Sequence, residues 1–443
     1  MIHFRDLAAT DADIAALTAF YQDHYADEFP DPDERESLAN MIEYLRLREQ
    51  GWYGRNNYHI ILASMNGVTV GCSVIDYFAG TNVGMIEFLM VVPAVRNTGV
   101  GRAILAETER VLNSDATAET GTPLAHLFAE INDPFVPTGT PDNLDPADRA
   151  VIWDRWGFHG LDVPYAQPAL SETQEPVTNL LLICKTFGRP CTPQTVRSAV
   201  ADYLRWAMRV EDPERCPEFQ ALAAHLATLA SVGTFSLSRY VGRPIPHARP
   251  LTAPTDPDWA ATMELYRTTF GITEYGIPES EFIREYPVPL HFWTLRRTPA
   301  SAVAGLVTFF TLTTAGFGGY GLFTGDLRGV GALRPMIAQV ELRMLADRPS
   351  TRGWYIEVTP KTDQAPLRAV GFIELPVRYS VPSPNGDELP ATLMYKWIGR
   401  HYSPTLPTES EVGAAVREIR EVVYGFHSGK RFFEAAEESV PDR

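Results

Sequence analysis

A chain of 443 residues is long enough for two or three domains with proper cores. Its composition, 45% hydrophobic and 21% charged, is that of an ordinary globular protein. The formal net charge of -17 argues against a nucleic-acid or anionic-membrane surface, both of which need a dense cationic footprint. It mildly favours cationic or neutral partners, or serves solubility alone. Cys72, Cys184, Cys191 and Cys216 are scattered with no CxxC pair, as buried or incidental thiols would be, and not as a zinc site or disulfide frame. The opening Met-Ile-His-Phe-Arg-Asp does not read as a signal peptide. No apolar run approaches the roughly 18–20 residues of a membrane helix. The expectation is a cytoplasmic protein.

Residues 2–7 read as a strand, and 11–25 and 34–50 as helices separated by a polar break. Strands over 58–64 and 69–77 are joined by the turn residues Asn66-Gly67. A buried-type strand then runs to Val92 and is stopped by Pro93. The turn Arg96-Asn97-Thr98-Gly99-Val100-Gly101 opens an amphipathic helix. Its start offers free N–H groups and the positive end of the helix dipole, so it suits an anion. Gly99 and Gly101 remove side chains where a phosphate would approach the backbone. Residues 126–131 form a strand, 133–148 a Pro-, Asp- and Gly-rich loop, 147–156 a helix ending at Gly157-Phe158, and 178–185 a last strand. The order βααββαβαβ makes a mixed α/β layer that closes near residue 187.

Residues 192–230 are helical in pattern, with Val196, Val200, Tyr203, Leu204 and Ala207 on one face, and 244–250 read as a Pro-rich linker. The first plan then returns: helices over 259–270 and 279–285, strands over 292–296, 303–311 and 320–323, the turn Arg328-Gly329-Val330-Gly331, and a helix over 334–346. A strand over 354–358, a helix over 364–370 and a strand over 393–397 follow, and a C-terminal helix covers 411–424 before a charged tail. Phe128-Ala129-Glu130-Ile131 matches Tyr355-Ile356-Glu357-Val358, and Trp156-Gly157-Phe158 matches Val370-Gly371-Phe372. A repeat of this size and order points to a tandem. Gly316-Phe317-Gly318-Gly319-Tyr320-Gly321 fits G-x-G-x-x-G, but strand-like Leu322-Phe323 follows where a dinucleotide site needs a helix, so that reading is rejected in favour of a flexible approach to the strand.

An apolar strand, then Val91-Val92-Pro93, then Arg96-x-x-Gly99-x-Gly101 at a helix start, then a later helix ending in Gly157-Phe158, resembles the GNAT N-acetyltransferase superfamily. The resemblance covers residues 1–187 well and 251–400 more weakly. It implies two tandem GNAT-type mixed-sheet α/β domains: an N-terminal domain over 1–187 with the intact motif, a helical connector and linker over 188–250, a degenerate C-terminal domain over 251–400, and a helix and tail over 401–443. The second half keeps Arg328 and Gly331, but Leu333 replaces the second glycine, where it would crowd a phosphate, and Gly325 stands near the proline position.

The resemblance implies acetyl-CoA as acyl donor. Its pyrophosphate would lie on the N–H groups of Asn97, Thr98, Gly99, Val100 and Gly101, beside Arg96, and its pantetheine arm along the strand through Met90, Val91 and Val92. A strand N–H near Met90 or Val91 would serve the oxyanion. Glu87 on that strand is the family's kind of base, or a strand residue facing solvent. Glu130 is catalytic or structural. Asn132 bonds the pantetheine or the substrate, or neither. The family's usual acid is a Tyr four residues before the Gly of Gly-Phe; here Trp153 stands there, with Leu367 in the second half, and Tyr165 is a substitute or a packed residue. Glu28, Asp31, Asp33, Glu34 and Glu36 crowd the break between the first two helices and read first as solvated charge, although in this family that break overhangs the acceptor. His24, His126 and His159 are isolated, and no metal site is expected. The function implied is N-acylation of a primary amine on a small molecule. The alternatives are a non-catalytic acyl-CoA-binding or scaffold protein, and a transferase using a carrier-protein or tRNA-linked donor, the tRNA form disfavoured by the acidic charge.

Overall fold

In the computed structural model the described residues are 1–31, 34–136, 143–169, 174–243, 245–328, 331–383, 387–399 and 406–425. The chain divides into two compact units, Met1–Ser238 and Arg239–Arg443. Each is a mixed α/β unit built on its own sheet. No described helix is long and apolar enough to cross a membrane.

The first unit runs β1 Ile2–Asp6, α1 Asp11–Phe20, α2 Ala26–Glu28, α3 Leu38–Glu49, β2 Asn57–Met65, β3 Val68–Phe78, β4 Val83–Val91, α4 Val100–Thr120, β5 His126–Asn132, α5 Pro146–Arg155, β6 His159–Leu161, β7 Leu180–Lys185, α6 Pro193–Trp206, α7 Pro217–Leu226 and β8 Thr234–Phe235. A short helix α8, Leu237–Tyr240, spans the division between units. The sheet order is β1-β2-β3-β4-β5-β7-β6-β8. Every neighbouring pair is antiparallel except β4 and β5. The β2–β3 hairpin turns on Asn66 (φ 55°) and Gly67 (φ 81°), the left-handed pair that matches strand twist.

The second unit runs β9 His247–Pro250, α9 Trp259–Tyr266, β10 Leu290–Arg296, β11 Val303–Thr311, β12 Gly316–Phe323, α10 Leu333–Asp347, β13 Gly353–Val358, α11 Ala365–Ala369, β14 Ile373–Glu374, β15 Tyr379–Pro382, β16 Glu388–Trp397 and α12 Glu409–Glu418. Its order β9-β10-β11-β12-β13-β16-β14, with β15 on β16, repeats the order of the first sheet from β1 to β6, again with one parallel pair, β12 and β13.

Three expectations change. The helices expected as a connector belong to the first unit: Val196, Val200 and Leu204 of α6 and Phe219 and Leu222 of α7 pack with Phe78, Met85, Phe128 and Leu182 in one core. The Pro-rich linker becomes β9, paired with β10. An edge strand tolerates proline because one side needs no ladder donor. The glycine run at 316–321 is part of β12 itself, not a flexible approach to it. A Cβ on Gly316 would lie 2.4 Å from Met344 Sδ, and one on Gly318 2.8 Å from Ile356 Cγ2, so glycine there serves close packing.

One buried ion cluster couples the first unit to pH. His59 of β2 is buried between two carboxylates, Nδ1 2.7 Å from Asp6 Oδ2 and Nε2 2.8 Å from Asp115 Oδ2. Burial opposes its charge, but the hydrogen bonds to Asp115 and Asp6 prevail and lift its pKa to about 9. The folded state therefore holds the proton more tightly than the unfolded chain. The stabilisation is complete below the ordinary histidine pKa and is lost as pH rises through about 9. We expect the first unit to lose about 2 kcal/mol across that window, after discounting for half-exposed Asp6, and His59→Gln to flatten the loss. Urea unfolding at stepped pH measures it; parallel curves for the two proteins would refute the assignment.

Candidate active site

β4 pairs with β3 along its length, but with β5 only from Val83 to Ile86, opposite His126 to Ala129. Beyond Ile86 the two parallel strands separate. Glu87 stands at the fork as the extra residue of a β-bulge, because Ile75 faces Ile86 while Val74 faces Phe88. A bulge re-aims the side chain it carries. Between the arms lies a cavity of about 520 Å³, walled by residues 86–91 of β4, 129–132 of β5, the break after α2, and the turn before α4. That size suits a small-molecule ligand.

One end of the cavity meets the start of α4. α1, α3, α5 and α6 are each closed by a side chain, from Thr10, Ser37, Asp145 and Thr192. α4 starts at Gly99 with no side-chain cap, leaving its first N–H groups available. Gly99 holds φ +91° and a Cβ there would meet nothing within 4 Å. Glycine is needed at that position for the backbone, and the space beside it is open. Gly101 has a different reason: a Cβ would lie 3.1 Å from Trp156 and 3.3 Å from Val91 Cγ2, so its small size lets α4 pack on the ring. Arg102 and Arg155 line the same end.

The expected ligand-binding residues divide. Met90, Val91, Arg96, Asn97, Gly99, Gly101 and Asn132 line the cavity. Arg96 is held in place, Nε donating to Val91 O at 3.2 Å and the guanidinium pairing with Glu28. Val92 is displaced from its expected role, since its N–H donates to Val70 O at 3.0 Å and its side chain is buried. Thr98 Oγ1 donates to Val95 O at 2.7 Å, and Val100 lies in the core, so these two have only backbone to offer.

The other end is acidic. Glu28, Asp31 and Glu34 line it, which replaces the solvated-loop reading of that cluster. Asp33 lies outside the described residues. Glu36 is buried away from the cavity wall, accepting from Ser37 N at 2.7 Å and Asn40 Nδ2 at 2.9 Å. Glu34 Oε1 accepts from Asn132 Nδ2 at 2.8 Å, and Asn132 Oδ1 accepts from Arg149 at 2.5 Å. Burial pushes Glu34 above the usual carboxylate range despite those amide bonds.

Glu130 and Glu87 form the floor. Glu130 Oε1 accepts from the Tyr165 hydroxyl and Oε2 from the Tyr203 hydroxyl at 3.2 Å. Burial lifts Glu130 to about 7 against these two bonds. Tyr165, expected as a substitute acid, has its hydroxyl proton committed to Glu130 and is not on the cavity wall. Glu87, read as the family's kind of base or a strand residue facing solvent, is pushed well above the carboxylate range by burial and by the neighbouring Asp76. Trp153 lines the cavity and carries no proton a thiolate would take.

Sequence reading missed Tyr203, whose position on an apolar helical face gave one weak signal, a hydroxyl at a core position. It also missed Arg149 and Asp76, which nothing in the local sequence marks.

The second unit repeats the fork in reduced form. β12 and β13 pair only from Gly316 to Gly318, opposite Trp354 to Ile356. Arg328 Nε donates to Phe323 O at 2.8 Å, as Arg96 does to Val91. Gly331 holds φ +70°, while Gly329 and Val330 of the turn lie outside the described residues. Leu333 takes the place of Gly101, and Val370 that of Trp156. In the first unit that glycine serves packing, so the expectation that Leu333 crowds a phosphate loses its basis. Glu357 accepts from the hydroxyls of Tyr379 and Tyr424 and is lifted by burial to about 7, as Glu130 is.

Residues 18–128 match the family model described as the acetyltransferase (GNAT) family. No curated protein matches the chain. Among solved structures, a tandem GNAT protein from the clavulanic acid biosynthesis pathway is 15% identical over 90% of this chain and 99% of its own, with a TM-score of 0.31. A putative GNAT acetyltransferase from Bacteroides thetaiotaomicron is 17% identical over 46% of this chain and 96% of its own, at 0.34. An N-acetyltransferase from Thermoplasma acidophilum in complex with coenzyme A is 10% identical over 42% of this chain and 99% of its own, at 0.28.

Proposed function

We propose that this chain, whose N-terminal unit is a GNAT acetyltransferase domain, moves an acetyl group from acetyl-CoA to a primary amine of a small molecule. One observation carries the reading: a single cavity joins an uncapped helix start to a cluster of carboxyls across an open strand edge. The helix start, with Arg102 and Arg155 near it, suits a pyrophosphate. The unpaired edge of β4 suits an extended amide-bearing arm and offers an N–H to a developing oxyanion. Asp31 and Glu34 suit an ammonium, Glu28 being engaged by Arg96.

An ammonium must lose a proton before its nitrogen attacks. Glu130 is the proposed base, since a carboxyl lifted to about 7 balances ionisation against basicity at neutral pH. Tyr165 and Tyr203 hold it in position.

The test is release of coenzyme A over a panel of amines. Binding of acetyl-CoA with no release on any amine would leave a binding protein and sink the enzyme reading. Gly99→Glu is expected to abolish acetyl-CoA binding, through strain at φ +91° and like charge beside the phosphates. Gly101→Glu is expected to do the same by displacing Trp156. Isothermal titration giving wild-type affinity for both variants would remove the phosphate site.

A further inference from the structure

Asp76 of β3 is fully buried, and neither of its carboxyl oxygens meets a donor among the described residues. Glu87 Oε1 is in the same condition. The two carboxyls lie within hydrogen-bonding range of each other. Two carboxylates cannot bond, since both only accept, but one carboxylic acid and one carboxylate can. Buried carboxyls this close cannot both ionise. Glu87 lines the cavity, and Asp76 sits behind it, off the cavity wall.

We propose that Asp76 and Glu87 hold one proton between them, so that Glu87 faces the cavity as a neutral O–H donor and acts as the acid on the departing thiolate. This rests on the transferase reading above. Glu87 gives its proton to sulfur as the carbon–sulfur bond breaks, the bond's electron pair remaining on sulfur. Two protons leave the ammonium nitrogen, one before attack and one after it, each to Glu130 and on to solvent, and Glu87 regains one from solvent. The balance is two N–H bonds lost, one S–H gained and one proton released. Glu87 is thereby the catalytic group and Asp76 the positioning one, acting through it.

The surroundings favour this protonation. Glu36 and Glu130 add negative charge around Glu87. The hydroxyls of Tyr25, Tyr44, Tyr53, Tyr58 and Tyr203 lie within electrostatic reach. Protonated His59 on β2 favours the Asp76 carboxylate, which leaves the shared proton on Glu87. Burial lifts both carboxyls, and the charge of Asp76 lifts Glu87 further.

Infrared spectroscopy of the full chain reads the proton directly. Above about pH 8, where Glu130 is ionised, a carboxylic acid C=O band is expected to persist and to vanish in Glu87→Gln. No such band in the unmodified protein would overturn the proposal, whether or not the variants fold. In kinetics with acetyl-CoA, Glu87→Gln is expected to lower kcat about 100-fold with KM little changed. Asp76→Asn is expected to move the alkaline limb of kcat down by about one pH unit or more, because it removes the like charge that keeps Glu87 protonated. A Glu87→Gln rate within about twofold of the parent, with an unmoved limb in Asp76→Asn, would overturn the acid role while leaving the transferase reading intact. Absence of transfer to any amine would sink both that reading and the acid role, and the band would still decide whether the pair holds its proton.

Discussion

Glu130→Gln is expected to lower kcat for acyl transfer by about 100-fold or more while leaving the affinity for acetyl-CoA unchanged. Gln keeps the shape and can still accept from one tyrosine and donate to the other, so the floor of the cavity stays packed. What it loses is the ability to take a proton from an ammonium. In the unmodified protein the rate should rise with pH through about 7, as Glu130 ionises, and the variant should lack that rise. Tyr203→Phe removes one of the two bonds that favour the carboxylate, so this limb should move to higher pH. A pH profile of kcat/KM for the three proteins checks both statements. A Glu130→Gln rate within about threefold of the parent would take Glu130 out of the chemistry and leave it a buried structural group, its twin Glu357 being an example of how the same trio is built away from that cavity.

Lys396→Met is expected to destabilise the second unit by about 3–5 kcal/mol, the cost of stranding a buried charge. Glu341 of α10 and Lys396 of β16 are 2% and 3% exposed and form an ion pair. Glu341 also accepts from Trp354 Nε1 at 3.0 Å and from Gly399 N at 2.9 Å. Methionine fills the volume of the lysine stem but leaves one carboxylate oxygen with the indole alone. Removing both charges, as Glu341→Leu with Lys396→Met, should recover much of the loss, because apolar packing replaces a pair whose desolvation offsets most of its attraction. Urea unfolding of the single and double variants against the parent measures both changes. A single variant within about 1 kcal/mol of the parent would show that Glu341 is satisfied without the lysine.

The strand–turn–helix from Met85 to Asn113 was legible because its signals are local. An apolar run, a proline, two glycines and an amphipathic helix lie within one stretch of chain, and each follows from backbone sterics or helix-end chemistry. The repeat was legible for the same reason, as short strings recurring in order. The proton-holding pair was not. Asp76 and Glu87 meet through the bulge in the β3–β4 register, and a one-residue bulge leaves no mark in an alternating apolar sequence. Tyr203 was hidden by its neighbours, since Val196, Val200 and Leu204 make its helix face look wholly structural. Gly99 and Gly101 looked alike in sequence but differ in the fold, one set by φ and the other by the Trp156 ring.

The placement of α6 bears on where this chain can be divided. The sequence suggests a cut after the last strand, near residue 187. A fragment ending there would lose Tyr203 from Glu130 and expose the apolar surface of Phe78, Met85, Phe128 and Leu182 that α6 and α7 cover. The second unit is built alike, with Tyr424, just past α12, reaching back to Glu357. The element that duplicated is therefore strand order plus a trailing helix, and the first compact unit runs to Ser238, not to residue 187. Any exchange of halves between relatives of this chain would have to carry that helix with the sheet before it, or leave a buried carboxyl with half its hydroxyls.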